Sequence, residues 1–432
     1  MTGYTSVIDV LGKLDEGEKA RIRGWVYRLR RLGGKVFIVL RDYSGIIQCV
    51  LDGETASRLE EEVSRVDIEA SVIVEGVVRR DKRAPGGKEL KVMDLKVVGE
   101  SHNFPIKGGE GIDYLLDNRH LWIRSRRLTS VFKVKHYLLE GLRDYFNSNG
   151  WWEVTPPILT MSAVEGGATL FPVDFFGKKA FLSQSAQFYL ETLIFSLEKV
   201  WSITTSFRAE RSRTRRHLYE YTHLEAEAAW YGMEDMMRVV EEMVKAGIRR
   251  VLEKSSGDLE FIGRDVSILE NVVSTRFPVI TYDEAVQILQ SKGVSIKWGE
   301  DFGADEERVL TKEFEVPVFV TMFPKKIKSF YMKISEENPE LVYGFDLLAP
   351  EGYGEIVGGS VREDSYDKLL SRIVEEGLNP EDYNWYLDLR RYGSVPHSGF
   401  GLGVERMVMW VAGLDHIRDA TPYPRFRDRL YP

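Results

Sequence analysis

The stretch SFRAERSRTRRHLYEY, residues 206–221, is the most informative part of this 432-residue chain. Runs rich in β-forming residues flank it at 200–204 and 222–228, so we expect a long hairpin loaded with arginines. Guanidinium groups bind phosphate through paired N–H donors, and Glu210, two residues after Arg208, can orient that arginine or accept from an amino group. Taken alone, the stretch is explained equally well by a basic surface loop with ion pairs.

Two other groups of residues add to a nucleotide-binding pattern. Asp346 and Glu355 flank a predicted turn and can hold magnesium through carboxylate oxygens and water. The run GFGLGVER (399–406) ends in Glu405 and Arg406 at the start of an apolar helix, and its glycines let a ligand approach closely. It is not the dinucleotide-binding fingerprint, because no βαβ unit precedes it.

Composition limits the class of protein. The chain has 43% hydrophobic and 29% charged residues, a net charge of −8 and a single cysteine, Cys49. This balance is typical of a folded globular protein, and the length predicts two or three domains. The net negative charge argues against a protein that binds nucleic acid non-specifically over its whole surface. A polyanion would have to bind at local clusters of basic residues. One cysteine excludes an internal disulfide and a cysteine-based zinc site, and its apolar surroundings predict an inert core thiol.

Membrane segments and common catalytic motifs are not found in the sequence. No apolar run approaches the ~18 residues that span a bilayer, and residues 1–13 lack the pattern of a signal peptide, so we expect a cytoplasmic protein without membrane contact. Neither the P-loop pattern nor His-Glu-x-x-His occurs, and the seven histidines are not paired at metal-ligand spacing on a helix.

The first hundred residues contain five runs with the alternating pattern of strands, and a charged helical segment lies between the third and the fourth. The runs are 21–28, 35–41, 46–51, 71–78 and 90–98, and the helical segment is 54–66. This order is that of the five-stranded OB barrel, whose open face suits single-stranded nucleic acid. On the pattern alone, another small β domain is the alternative.

Longer helices mixed with strands follow, which predicts an α+β domain after an irregular connector. Thr129 or Ser130 should cap a helix that runs to about Asn149. The other expected elements are a helix at 233–254, a helix between the capping box of Thr281 and Glu284 and the closing Gly293, and strands at 318–322 and 341–348.

Three motifs in order resemble those of the class II aminoacyl-tRNA synthetases, in the aspartate, asparagine and lysine subgroup. The helix at 129–149 followed by WEVTPP (152–157) is similar to motif 1, FRAE (207–210) with His217 and Tyr221 to motif 2, and GLGVER (401–406) to motif 3. The resemblance covers essentially the whole chain. It implies an N-terminal five-stranded OB β-barrel and a C-terminal α+β class II domain with a mostly antiparallel sheet flanked by helices.

The family also implies domain limits and partners. Residues 1–103 would be the anticodon-binding domain, 104–128 the connector and 129–432 the catalytic domain. Motif 1, with Pro157 as its signature proline, would build a homodimer. The substrates would be ATP, an amino acid and a tRNA, with Mg2+ as the metal cofactor.

For ATP, the resemblance assigns roles to motifs 2 and 3. Arg208 would hold the α-phosphate together with the amino-acid carboxylate, and Arg208 and Arg406 would be the catalytic residues. The remaining ATP contacts would be made by Glu210, Arg216, His217, Leu218, Tyr221, Glu355, Gly403 and Glu405, with Asp346 and Glu355 as magnesium ligands. Attack of a carboxylate on the α-phosphate needs no protein nucleophile, which agrees with a site made of Arg, Glu and metal.

Residues resembling the family's amino-acid pocket indicate asparagine as the substrate. Glu165, Ser185 and Gln187 would grip the α-ammonium, Arg362 would face the side-chain oxygen, and Arg208 and Gly358 would complete the site. Aspartate enzymes place a lysine where this chain has Leu190, and Glu225 can accept from an amide but repels a carboxylate. One Arg, one Glu and no Lys make a formally neutral pocket, so bound aspartate would keep an uncompensated charge.

The expected reaction is therefore activation of L-asparagine and its transfer to tRNA(Asn). The alternatives are an aspartyl enzyme of relaxed tRNA specificity and an amidoligase that makes asparagine. Phe37 and Gln48, on adjacent predicted strands, resemble the positions that stack on and hydrogen-bond the central anticodon base, and Arg30 resembles the arginine at a neighbouring base.

Overall fold

A computed structural model of the chain describes residues 3–161, 170–212, 214–426 and 429–432. The chain forms two compact units, residues 1–115 and 116–432. Among the described residues, none of the helices combines the length and the hydropathy needed to cross a membrane.

The small unit is a closed barrel of five strands, so the prediction of a five-stranded barrel is confirmed. The strands are β1 (Lys19–Leu32), β2 (Lys35–Arg41), β3 (Ile46–Leu51), β4 (Ser71–Arg80) and β5 (Lys88–Gly99), and they pair in the order β1-β2-β3-β5-β4. Helix α1 (Val7–Lys13) precedes the barrel, and α2 (Gly53–Arg58) and α3 (Glu60–Ser64) replace the single helix expected at 54–66. Alternate residues of each strand fill the core, among them Cys49, which is fully buried as predicted.

A sheet of eight strands organises the large unit, in the order β12-β13-β14-β15-β16-β11-β10-β6. Its strands are β6 (Trp152–Glu153), β10 (Lys199–Phe207), β11 (Glu220–Ala229), β12 (Val279–Thr281), β13 (Val318–Pro324), β14 (Leu341–Ala349), β15 (Gly354–Val361) and β16 (His397–Gly403). Only the outer pairs β12–β13 and β6–β10 are parallel, so the expected mostly antiparallel sheet is confirmed. A second, three-stranded sheet contains β7 (Leu159–Thr160), β8 (Pro172–Phe175) and β9 (Lys178–Leu182).

Eleven helices are described after the barrel strands. They are α4 (Ile112–Asp117), α5 (Arg119–Trp122), α6 (Arg126–Ser148), α7 (Gln187–Leu197), α8 (Met233–Ile262), α9 (Val266–Ser274), α10 (Tyr282–Ser291), α11 (Ala304–Leu310), α12 (Tyr366–Glu375), α13 (Asn384–Arg391) and α14 (Val404–Val411). The long helices α6 and α8 pack their apolar faces together, with Leu138 and Leu142 of α6 against Gly247 of α8. The close approach at Gly247 depends on the missing side chain.

Two predicted helix ends were wrong. The cap of α6 is Ser125, whose Oγ accepts from the backbone N–H of Leu128, and not Thr129 or Ser130. Helix α8 continues to Ile262 through a kink at Ser255, past the end expected at Lys254. The capping box predicted at Thr281 is confirmed, with the hydroxyl accepting from the Glu284 N–H and the carboxylate accepting from the Thr281 N–H.

Candidate active site

Strands β11, β14, β15 and β16 contribute to the walls of a cavity of about 310 Å3 in the large unit. The cavity brings together most of the residues that the sequence indicated, although they are spread over more than two hundred positions. Its walls include Ser185, Gln187, Leu190, Arg208, Arg216, His217, Leu218, Tyr221, Glu225, Asp346, Glu355, Gly358, Arg362, Gly403, Glu405 and Arg406. Glu210 does not line the cavity, and Glu165 lies outside the described residues.

The arginine-rich stretch is a hairpin loop, as predicted, because β10 and β11 pair antiparallel up to Phe207 and Glu220. Arg208 directly follows β10, and its guanidinium carbon lies 5.7 Å from the centre of the Tyr221 ring. Burial lowers the pKa of His217, and the guanidinium groups of Arg208 and Arg406 act in the same direction, against Glu210. The buried Nε2 of His217 has no hydrogen-bond partner among the described residues, which leaves it available to a ligand.

Two arginines at this end of the cavity are held by acids. The Arg406 guanidinium donates to Glu355 Oε2 at 2.8 Å, and Arg216 donates to Glu307 Oε2 at 2.7 Å and to the Tyr353 carbonyl. Glu307 also accepts from the backbone N–H of Glu355 at 2.8 Å. Glu307 was not predicted as a site residue, and it lies on the short helix α11 in a segment for which no role was predicted.

Glu405 is engaged in a buried contact that the sequence did not reveal. One of its oxygens accepts from Lys135 Nζ at 2.6 Å and from the Thr222 hydroxyl at 2.7 Å, and the other accepts from the Thr222 N–H at 2.9 Å. The carboxylate thus ties the start of α14 to α6 and β11. Its predicted contact with ATP stays a prediction.

Asp346 and Glu355 lie on the adjacent strands β14 and β15, as expected for two acids around a turn. Lys328 Nζ donates to Asp346 Oδ2 at 2.7 Å, and this lysine also lines the cavity. Burial, which Lys328 offsets only in part, raises the pKa of Asp346 to about 7. Burial opposes ionisation of Glu355 as well, but Arg406, Lys328 and Arg208 outweigh it and lower the pKa to about 2.

The two acids fit a divalent cation. A methyl group placed on Gly358 would lie 3.2 Å from Glu355 Oε1 and 3.5 Å from Asp346 Oδ1, which are the oxygens not used by Arg406 and Lys328. Both oxygens therefore border the open space over this glycine. Two hard oxygen ligands beside a phosphate-binding wall suit Mg2+, which keeps water and phosphate as its other ligands.

At the opposite end of the cavity, Glu225 is held by the start of α7. Its carboxylate accepts from the Ser185 hydroxyl and, at 2.8 Å, from the backbone N–H of Ala186, and the His223 ring lies 3.3 Å from it. Gln187 begins α7, and Leu190, one turn further along, is fully buried. The predicted pocket residues Ser185, Gln187, Leu190 and Glu225 therefore share one wall.

Arg362 has a partner that the sequence did not predict. Its Nε and one terminal nitrogen donate to the two oxygens of Glu227 at 3.0 and 2.9 Å, and its other terminal nitrogen donates to the Ser360 hydroxyl at 2.8 Å. Burial opposes the charge on Arg362, but Glu227 more than compensates and raises the pKa of the guanidinium. Glu227 and Lys328 also line the cavity, Glu227 on Arg362 and Lys328 on Asp346, and the amino-acid pocket with one Arg, one Glu and no Lys stays a prediction.

In the barrel, the three residues predicted to contact the anticodon lie on neighbouring strands. Arg30 pairs with Phe37 across β1 and β2, and Val39 pairs with Gln48 across β2 and β3. Arg30 is exposed, Phe37 and Gln48 are half-buried, and the residues that alternate with Phe37 and Gln48 point into the core. Gln48 Nε2 donates to Glu89 at 2.8 Å, which fixes the orientation of the amide on this outer face.

Comparisons with known proteins agree with both units. Residues 111–427 match the family model of tRNA synthetases class II (D, K and N), and residues 20–98 match that of the OB-fold nucleic acid binding domain. An asparagine–tRNA ligase of Thermococcus gammatolerans is 57% identical over 96% of this chain and 97% of its own length.

Solved structures show the same similarity. The asparaginyl-tRNA synthetase of Pyrococcus horikoshii complexed with asparaginyl-adenylate has a TM-score of 0.96 at 54% identity, with both chains fully covered. The Entamoeba histolytica asparaginyl-tRNA synthetase, in complex with the same adenylate, has a TM-score of 0.89 at 36% identity, over 97% of this chain and 98% of that one.

Proposed function

Since this chain belongs to the asparagine–tRNA ligases, a family of class II tRNA synthetases, we propose that the 310 Å3 cavity is the active site in which its reaction takes place. The enzyme uses ATP to convert L-asparagine to asparaginyl-adenylate and then transfers the asparaginyl group to tRNA(Asn). One observation carries the assignment to the cavity. The same cavity contains Arg208 and Arg216 of the 206–221 hairpin at one end and the Arg362–Glu227 pair with Glu225 at the other.

The first step forms a bond between an asparagine carboxylate oxygen and the α-phosphorus of ATP, and the bond from that phosphorus to the bridging oxygen breaks as pyrophosphate leaves. Arg208 would hold the carboxylate and the α-phosphate together, while His217, Arg216 and Arg406 would bind the outer phosphates. Tyr221 would stack on adenine. Charge neutralisation and alignment supply the catalysis, so a nucleophilic side chain is not needed.

Magnesium bound at Asp346 and Glu355 would neutralise phosphate charge and orient the leaving pyrophosphate. The geometry around Gly358 supports this assignment, because an oxygen of each carboxylate faces the same open space. Lys328 would balance the charge of Asp346 beside the metal.

The amide of asparagine would be recognised by one hydrogen-bond acceptor and one hydrogen-bond donor. Glu225 accepts from the amide NH2, and Arg362 donates to the amide oxygen. Because Glu227 already balances Arg362, an additional carboxylate from aspartate would meet an excess of negative charge. Ser185, Gln187 and Glu165 would hold the α-ammonium, and Leu190 would leave aspartate without a second cation.

The barrel, within the proposed limits 1–103, would read the anticodon through Arg30, Phe37 and Gln48. Residues 104–128 would connect it to the catalytic domain at 129–432. We also propose a homodimer through motif 1, because β6 is the last strand of the large sheet and its Trp152 is 59% exposed. Since tRNA charging supplies the ribosomes, we place the reaction in the cytoplasm.

The test of this function is amino-acid-dependent exchange between ATP and pyrophosphate, with asparagine and aspartate offered separately. We expect exchange with asparagine and at most a trace with aspartate. Exchange with aspartate alone would contradict the pocket assignment and favour the aspartyl or amidoligase alternatives.

A further inference from the structure

A buried polar cluster lies directly behind the proposed amino-acid pocket. At its centre is Glu191 on α7, which is fully buried. Its Oε1 accepts from Gln187 Nε2 at 2.9 Å, and its Oε2 accepts from Arg390 at 3.0 Å and from His397 Nε2 at 3.0 Å. The Tyr386 hydroxyl lies 2.9 and 2.8 Å from the two oxygens. Only Gln187, among these partners, also lines the cavity.

The cluster is built to keep Glu191 ionised. Burial opposes the charge, but Arg390 and His397 outweigh burial and lower the pKa of Glu191. The His397 ring is held between two oxygens, with Nε2 at 3.0 Å from Glu191 Oε2 and Nδ1 at 2.7 Å from the Val395 carbonyl. An ionised carboxylate only accepts hydrogen bonds, and it therefore requires the NH2 end of the Gln187 amide.

Glu191, Glu227 and His397 also lie close enough together to hold a metal ion. Their hydrogen bonds argue against that use. Arg390, Tyr386 and Gln187 already occupy the oxygens of Glu191, and the guanidinium of Arg362 occupies both oxygens of Glu227.

We propose that Glu191 is a positioning residue that orients the Gln187 amide, so that its Oε1 faces the cavity as an acceptor for the α-ammonium of the amino-acid substrate. This inference rests on the proposed function, in which Gln187 binds that ammonium. With the amide reversed, the NH2 group would face the ammonium and oppose it. Glu191 therefore makes the site selective for an amino acid over the same molecule without its α-amino group.

Glu191→Gln tests this without changing the volume of the side chain. Arg390 and His397 hold the acceptor end of the new amide, so its NH2 points at Gln187 and reverses that amide. We expect the KM for asparagine to rise about tenfold or more, with the KM for ATP changed less than twofold. Succinamic acid, which is asparagine without the α-amino group, should inhibit the variant and the unchanged protein equally.

Controls separate positioning from a general structural effect. Glu363→Gln is the matched control, because Glu363 is also fully buried and contacts Arg390 through its backbone carbonyl and not through its carboxylate. This variant should leave the KM for asparagine and the KM for ATP within twofold. Tyr386→Phe keeps Glu191 and should raise the KM for asparagine less, in the same direction. In a Gln187→Leu background, Glu191→Gln should add nothing further.

The outcomes distinguish the two levels of inference. If Gln187→Leu weakens asparagine and succinamic acid equally, the proposed ammonium contact is wrong. Suppose instead that Gln187→Leu weakens binding of asparagine but not of succinamic acid, while Glu191→Gln weakens binding of both equally. Glu191 is then structural, and the positioning role is overturned. Tyr386→Phe gives the same test if Glu191→Gln does not fold.

Discussion

Replacing Glu227 by glutamine should shift the enzyme from asparagine towards aspartate. Glu227 is 1% exposed and binds the Arg362 guanidinium through both of its oxygens, at 3.0 and 2.9 Å. The amide has nearly the same shape but no charge. Arg362 would then face the substrate with an unbalanced positive charge, which attracts the carboxylate of aspartate more than the amide of asparagine.

The size of the effect follows from the geometry of the pair. A substrate group bound on the far side of the guanidinium is separated from Glu227 by about two arginine–carboxylate distances, roughly 8 Å. At an effective dielectric constant near 20, one unit charge at that separation contributes about 2 kcal/mol, or roughly 30-fold. Asparagine itself should lose roughly tenfold in kcat/KM, because the glutamine amide carries no charge and can accept only one of the two hydrogen bonds from Arg362.

The measurement is ATP–pyrophosphate exchange with each amino acid, expressed as the aspartate/asparagine ratio of kcat/KM. Glu69→Gln is the matched control, because Glu69 holds Arg41 in the barrel through the same two-oxygen contact, at 2.7 and 3.0 Å. It should leave the ratio unchanged. A folded Glu227→Gln protein whose ratio moves less than threefold would refute the charge argument.

Four further outcomes are expected. Phe37→Ala should lower kcat/KM for tRNA roughly 5- to 150-fold, as expected for a lost stack of about 1–3 kcal/mol, and leave ATP–pyrophosphate exchange intact. Val98→Ala, on an exposed barrel position, should change neither. Trp152→Asp should convert a dimer to monomers in analytical ultracentrifugation, and a dimer that survives would argue against motif 1 as the interface. Cys49 should not react with DTNB at pH 8 until the protein unfolds, because burial raises the pKa of the thiol. For the same reason the free energy of unfolding should fall as the pH rises above the ordinary value of 9.0, where only the unfolded chain releases the proton.

Local patterns predicted the barrel well. Strands β2 and β3 have the limits expected from the sequence, because buried and outward residues alternate strictly between glycine-containing turns. Helix ends were harder to predict. Ser125, Thr129 and Ser130 are all capping residue types, so residue type alone does not decide among them, and the structure has Ser125 as the cap.

The buried charges were missed for a different reason. Glu191 contacts Tyr386 and His397, which are 195 and 206 positions away in the chain. On its own helix, an acid among apolar residues is as compatible with a solvated face as with a buried ion pair. Glu227 was missed for the same reason. The strand pattern predicted that Glu227 lies on the same strand as Glu225, but it did not predict the contact with Arg362.

The glycines of β16 explain how these charges fit together. A side chain on Gly399 would collide with a carboxylate oxygen of Glu227, and one on Gly401 would collide with the His223 ring. Neither glycine has the left-handed backbone that only glycine adopts easily, so both are required for space and not for conformation. The sequence predicted close approach of a ligand at this run. In the structure, the space beside these glycines is occupied by Glu227, which pairs with Arg362, and by His223, which contacts Glu225. The glycine pattern therefore makes room for the charged groups that select the ligand as well as for the ligand.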